Sequence, residues 1–266
     1  MKRRGSRILG VRQSALRVPI GIASICTLLL AWELYGRSGL VDPRFSSSPS
    51  RIFEALAELF GQGRFWNNVR VTASAFAVGL TAACLVGIPG GIAMGWFRRV
   101  RLLLEPMVMV FYSVPGTTFL PLIILWFGID ISAYAFLVFF SSVFPVLVNS
   151  MAGMRQVDPS LVRAARSFGA GRFAIFRFIL LPFSLPFIMG GIRLGLGRGL
   201  IAVILGEMYF SIAGLGNMIM KYQSGLNTDF LMAIALVIAL SGIALIMLAL
   251  RVEGWLAPWR RLRDIE

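Results

Sequence analysis

Along the chain, apolar stretches long enough to cross a bilayer alternate with shorter polar connections. They cover residues 18–35, 71–96, 102–127, 133–154, 183–210 and 230–250. A spanning helix needs about 20 mostly apolar residues. The pattern therefore predicts an all-α polytopic membrane protein with six transmembrane helices. Residues 36–70 break it with serine, proline and charge. Within them Ile52, Phe53, Leu56, Leu59 and Phe60 form one stripe just after Ser48-Pro49. That spacing predicts a short amphipathic helix on the outer surface, which either seals the bundle or offers part of a docking surface to an external protein.

Two apolar stretches carry glycines at four-residue spacing: Gly87, Gly91 and Gly95 in the second, and Gly191, Gly195 and Gly199 in the fifth. Each row leaves one helix face as bare backbone, which predicts close helix contact. The third stretch is interrupted at Pro115-Gly116 and again at Pro121. Proline removes a backbone donor and opens the preceding turn. In a bilayer the freed carbonyls must be met by protein or a water-filled cavity. Both a pathway-lining break at Pro115 and an ordinary kink fit that requirement.

The longest polar interruption in the later part of the chain is residues 157–186. Asp158 has the chemistry of an N-cap, Pro159 suits the first helical position, and Gly169 suits the stop just beyond the last turn. Between them Leu161, Ala164, Ala165 and Phe168 fall at i, i+3, i+4 and i+7, one helical face. Arg163, Arg166 and Ser167 fall on the other. The segment reads as a short, capped, cationic helix outside the bilayer. Its apolar seam faces either a partner or its own chain.

Composition agrees with a membrane protein: 58% of residues are hydrophobic and only 14% charged. A soluble domain carries about a quarter charged residues. The net charge of +14 reflects basic residues at the edges of apolar stretches, a matter of topology rather than of nucleic-acid binding. With no histidine in the chain, His-dependent metal sites, triads and proton relays are excluded. Cys26 and Cys84 lie inside apolar runs without ligand spacing. The two lysines, Lys2 and Lys221, follow no phosphate-binding glycine loop, so any ATP used belongs to another subunit. No cofactor is expected in this chain.

The basic residues orient the bundle. Lys2, Arg3, Arg4, Arg7, Arg12 and Arg17 precede the first stretch, Arg98, Arg99 and Arg101 follow the second, and the tail ends with Arg260, Arg261 and Arg263. The positive-inside rule then places both termini, and residues 157–186, in the cytoplasm. Inside the fifth stretch Arg193, Arg198 and Glu207 stand out. A central arginine costs about 2.5–3.5 kcal/mol to insert, so it faces protein, water or a partner. Arg198 and Glu207 are about 13 Å apart along one helix and half a turn apart in direction. Each needs a partner elsewhere. Arg198 is a candidate for an anion pathway, or for a contact with carbonyls at a helix break. Glu207 is a second pathway candidate, and Arg193 suits snorkelling.

Arg163-Ala164-Ala165, three residues, Gly169, nine residues and Ile179-x-Leu181-Pro182 resemble the EAA loop of permease subunits in bacterial ABC importers. Every fixed position matches except the first, where Arg163 replaces glutamate. LPLIILWFGI (120–129), FFSSVFPVLVNSMAGMRQVDPSL (139–161) and GEMYFSIAGLGNMI (206–219) are similar to the aliphatic-sulfonate, nitrate and taurine permeases. The resemblance runs over residues 48–250 and implies the type I importer fold. Residues 1–66 would hold the N-terminus, first span and outer segment, residues 67–253 the transmembrane domain with an EAA-type loop at 155–182, and residues 254–266 a cytoplasmic tail.

What the resemblance implies further is a bacterial inner-membrane subunit without catalysis of its own. Such a subunit pairs with a second permease, takes a small solute (an organic anion such as a sulfonate) from an external binding protein, and is driven by separate ATPase subunits. The helix of Asp158, Leu161, Arg163, Ala164, Ala165, Arg166, Phe168 and Gly169 would be the coupling helix on the ATPase. An ion-coupled secondary transporter or channel is the alternative. It would want intramembrane carboxylates or inverted repeats; of the former the later helices offer Glu207.

Overall fold

The computed structural model describes residues 5–39, 42 and 44–257, with side chains from residue 21 onward. The basic N-terminal side chains and the tail arginines Arg260, Arg261 and Arg263 lie outside the described residues. The helices run in the order α1 (Gly5–Arg37), α2 (Pro49–Gly61), α3 (Gly63–Trp96), α4 (Arg98–Ser113), α5 (Leu120–Phe127), α6 (Ile131–Arg155), α7 (Pro159–Ser167), α8 (Arg172–Ile175), α9 (Leu181–Phe210), α10 (Leu215–Ser224) and α11 (Thr228–Leu256). A 3-10 turn, Gly116–Phe119, leads into α5, and a π turn, Phe176–Leu180, joins α8 to α9.

Among the described residues four helical runs are long and apolar enough to cross a membrane: α3, α6, Arg172–Phe210 and α11. The pair α4 with Gly116–Phe127 passes the same test only when taken together, and it is bent by 87° at the break. The first expected span, residues 18–35, lies within the continuous helix α1, and its first side chains fall outside the described set. Pro115-Gly116 is therefore a right-angle break and not a kink. Pro121 makes no second interruption, because it sits in the first turn of α5, where a missing donor costs nothing.

Two compact units divide the chain. The smaller comprises Met1–Gln62 and Lys221–Ala235, which includes the start of α11. Its order comes from polar contacts at helix starts. Glu33 accepts from the backbone N–H of Ser50 at 3.0 Å and from its hydroxyl at 2.7 Å. A carboxylate from α1 thus serves the open N-terminus of α2, whose own Ser48 makes no side-chain cap. Asp229, in the first turn of α11, accepts from Arg51 at 2.8 Å and from the Ser47 hydroxyl at 2.6 Å. The expected stripe on α2 divides: Ile52 and Leu59 are buried, whereas Phe53 and Phe60 are exposed.

The larger unit is Gly63–Met220 with Leu236–Glu266, and α6 is its axis. In a bilayer, apolar burial gives little net drive between helices, so close packing and hydrogen bonds hold them. Both glycine rows press on α6. A Cβ on Gly91 would stand 2.6 Å from the Ser150 Cβ, and one on Gly199 would stand 2.6 Å from the Ser142 Oγ. Only bare backbone permits those approaches. Ser142 is buried and donates to the Gly195 carbonyl at 2.9 Å, fastening α6 to α9 at the same level. Over half of the α6 span is covered by protein, against about a tenth of α11.

Candidate functional site

The loop helix α7 has the two caps expected. The Asp158 carboxylate accepts from the Ser160 N–H at 2.7 Å, and Pro159 opens the first turn. This hydrogen bond, with the Ser160 hydroxyl and the charge of Arg163, holds the Asp158 carboxyl below the ordinary carboxylate pKa. At the other end Gly169 adopts φ +82°. Its N–H reaches the Arg166 carbonyl at 2.9 Å, and the Ala170 N–H reaches Ala165 at 3.0 Å. That pair of bonds is a Schellman stop, which a left-handed glycine makes without strain.

The expected apolar seam does not stay together. Ala165, joined by Val162, packs toward Met154, Val157, Ile175 and Leu180. Leu161 is 50% exposed and Phe168 91% exposed. Phe168, at the C-cap, still lies one turn beyond Ala164, whose carbonyl accepts from its N–H at 3.2 Å, so it shares an outward face with Leu161 and Ala164 while Ala165 turns to the chain. The helix therefore shows its own chain a narrow Val/Ala face and presents Leu161, Ala164 and Phe168 outward. The rest of the EAA pattern is structural here. Ile179 packs on the same cluster from the π turn, and Pro182 lies in the first turn of α9.

Arg163 and Arg166 line a cleft of about 800 Å³ together with Arg98, Arg99 and Arg172. Sequence spacing had placed the first two on the face opposite the seam. The cleft shows what that face meets.

Pro115 and Arg198, singled out separately, come together. They line a cavity of about 280 Å³ beside the break between α4 and α5, with Tyr112, Ser113, Thr117 and Ser141. The last carbonyls of α4 have no helical donors ahead of them. Arg198 donates to the Tyr112 carbonyl at 3.4 Å, and its guanidinium carbon lies 4.4 Å from the Tyr112 ring centroid. A cation at a helix C-terminus is favoured by the dipole, and the ring face adds to it. Arg198 is nonetheless exposed, so it braces the break and still presents charge to the cavity. Phe111 and Phe140 supply apolar wall; their rings meet edge-on at 6.0 Å.

Glu207 lies elsewhere and lines no part of this cavity. It is completely buried. Its Oε2 accepts from the Thr72 hydroxyl at 2.8 Å and the Gly216 N–H at 3.0 Å. Thr72 in turn accepts from the Leu215 N–H at 2.9 Å, and Asn68 accepts from the Gly214 N–H at 2.6 Å. These bonds pin the turn between α9 and α10 onto α3. Arg193 does not snorkel alone: it forms an ion pair with Glu253 of α11, which is buried. Sequence reading missed Glu253 and Tyr112. A clue existed for the first, since a cationic residue in a span requires an anion. Sixty residues separate the pair, and spacing gives no sign of it.

A bundle of apolar helices with an exposed arginine beside a cavity at a helix break, and a capped loop helix with outward apolar side chains, fit a membrane transport permease. Residues 87–262 match the family described as binding-protein-dependent transport system inner membrane component. The chain belongs to that family, and within it to the ABC importer permeases of the sulfonate, taurine and nitrate group.

It is 32% identical over 248 residues to the taurine transport system permease protein TauC of Escherichia coli (strain K12), covering 91% of this chain and 90% of that one. Against the putative aliphatic sulfonates transport permease protein SsuC of the same organism, identity is 31% over 225 residues, 85% of this chain and 83% of that one. The bicarbonate transport system permease protein CmpB of Synechococcus elongatus is 27% identical over 272 residues, covering 97% and 96%. Among solved structures, an inward-facing MetNI methionine ABC transporter aligns with a TM-score of 0.63 at 17% identity, over 71% of this chain and 94% of that chain. The fold is thus that of ABC importer permeases.

Proposed function

We propose that this chain forms the translocation pathway for a small organic anion, of the sulfonate or taurine kind, in a bacterial inner membrane. In this reading six spans place both termini in the cytoplasm, and a second copy completes the pathway. An external binding protein delivers the solute, and a separate ATPase supplies the energy. Support for the anion comes from Arg198, an exposed cation beside a 280 Å³ cavity at the break of a span. The names of the taurine and sulfonate relatives point the same way. Support for the ATPase comes from α7, whose Leu161 and Phe168 stand exposed next to Arg163 and Arg166. Glu207 contributes beside the pathway, by anchoring the turn after α9.

Uptake into proteoliposomes holding the chain, its ATPase and its binding protein tests the reading. With taurine and a short alkanesulfonate as solutes, Arg198→Ala lowers uptake about ten- to a hundredfold, the range of a lost charge-assisted hydrogen bond. Arg198→Lys recovers part of it. Unchanged uptake in Arg198→Ala, with the complex intact, overturns the role given to Arg198.

A further inference from the structure

The cleft beside α7 is a second cationic feature, which the transport pathway does not use. Arg98 and Arg99 open α4, Arg163 and Arg166 come from α7, and Arg172 opens α8. The arrangement brings five arginines to the walls of one space of about 800 Å³. Neighbouring arginines are already satisfied: Glu105 lies 3.8 Å from both Arg101 and Arg155. None of the five has a carboxylate within ion-pair distance among the described residues. Asp158, whose charge is felt by Arg163, is committed to capping Ser160. Concentrated positive charge of this kind requires an anion.

The surroundings identify its class. Trp96, Phe97 and Arg172 also line an adjoining groove of about 530 Å³, whose other walls include Ile92, Phe173 and Phe176. Trp96 and Phe176 meet edge-to-face at 5.4 Å. The groove is lined by Pro89, Ile92, Ala93 and Trp96 from the last two turns of α3, a helix long and apolar enough to span the membrane. A charged cleft continuous with an apolar groove at the end of a span fits a molecule with an anionic head and a hydrocarbon tail. Basic pockets between spanning helices recognise phospholipid headgroups in this way. An acidic peptide would satisfy the arginines and leave the groove empty.

We infer that this cleft and groove bind one anionic phospholipid, the arginines holding its phosphate and the aromatic groove its acyl chain. Arg163 thereby has a ligand suited to a cation, at the position where the EAA pattern carries a carboxylate.

The chain, purified in detergent, is loaded with phosphatidylglycerol and then exchanged against phosphatidylcholine, and retained lipid is measured by native mass spectrometry. Wild type retains phosphatidylglycerol. Arg99→Gln/Arg172→Gln retains it about 25-fold more weakly, from about fivefold per basic residue at an anionic surface. Arg99→Lys/Arg172→Lys restores most of the binding. Added inorganic phosphate fails to displace the lipid, because it has nothing for the groove. Should the glutamine variant aggregate, the salt dependence of wild-type retention takes its place: retention falls as ionic strength rises. Equal retention by wild type and the glutamine variant overturns the inference, as does salt-independent retention. So does displacement by phosphate alone, or loss of ATPase association in the glutamine variant with lipid retention unchanged.

Discussion

Replacing one glycine out of two on the same helix tests how α9 sits on α6. Gly199 and Gly197 are two residues apart on α9, yet their surroundings are opposite. A Cβ at 199 would lie 2.6 Å from the Ser142 Oγ, 3.1 Å from Val138 Cγ1 and 3.3 Å from Phe76 Cε2, whereas a Cβ at 197 would meet nothing within 4 Å. Ser142 cannot turn away freely, because its hydroxyl is buried and donates to the Gly195 carbonyl at 2.9 Å. Gly199→Ala therefore strains the contact by about 1–3 kcal/mol and loses a hydrogen bond worth about 1 kcal/mol. The better helix propensity of alanine returns about 0.5–1 kcal/mol.

The net loss is about 1–3 kcal/mol, while Gly197→Ala keeps only the gain. Unfolding in mixed micelles with rising dodecyl sulfate, followed by circular dichroism, reads both. Equal shifts in the two variants would refute the packing argument.

Three further outcomes follow from individual contacts. Glu207→Ala leaves the Gly216 N–H and the Thr72 hydroxyl without their buried acceptor; it costs about 1–3 kcal/mol in the same unfolding assay, and Glu207→Gln, which keeps one acceptor oxygen, costs less. Glu253→Ala removes the carboxylate paired with Arg193 and costs about 3 kcal/mol; the double variant with Arg193→Leu regains most of it. The lowered pKa of Asp158 means that its contribution to α7 is complete above the ordinary carboxylate pKa, about 3.9, and is lost as pH falls through the lowered folded value. The protection factors of the amides in residues 160–167 therefore stay level from pH 8 to pH 5 and fall only in strong acid, whereas Asp158→Ala lowers them from pH 5 to pH 8 and has no further effect in strong acid.

The architecture was legible wherever one local rule acted alone. The caps of α7 follow from Asp158, Pro159 and Gly169, because capping chemistry is decided within a few residues. The glycine rows announced close packing, but their shared partner was not visible. Only the fold places Ser142 and Ser150 of α6 against both. Proline at 115 signalled an interruption, whereas the 87° bend depends on what the loosened carbonyls find, here Arg198 from another helix. Pro121 looked like a second break because proline is read without knowing where a helix starts. The seam of α7 divides for another reason: spacing puts Leu161, Ala164 and Phe168 on one face, but only the fold decides that this face points outward while Ala165, with Val162, turns to the chain. Long-range charge pairs such as Arg193 with Glu253 leave no periodic trace at all.

The central claim is that this chain forms a pathway but takes its energy from a separate ATPase. Uptake of the labelled solute into proteoliposomes, with the permease alone or with the permease, ATPase and binding protein together, tests it most directly. The account predicts concentrative, ATP-dependent uptake by the complete assembly and none by the permease alone, with or without an ion gradient. Concentrative uptake by the permease alone under a proton or sodium gradient would contradict it.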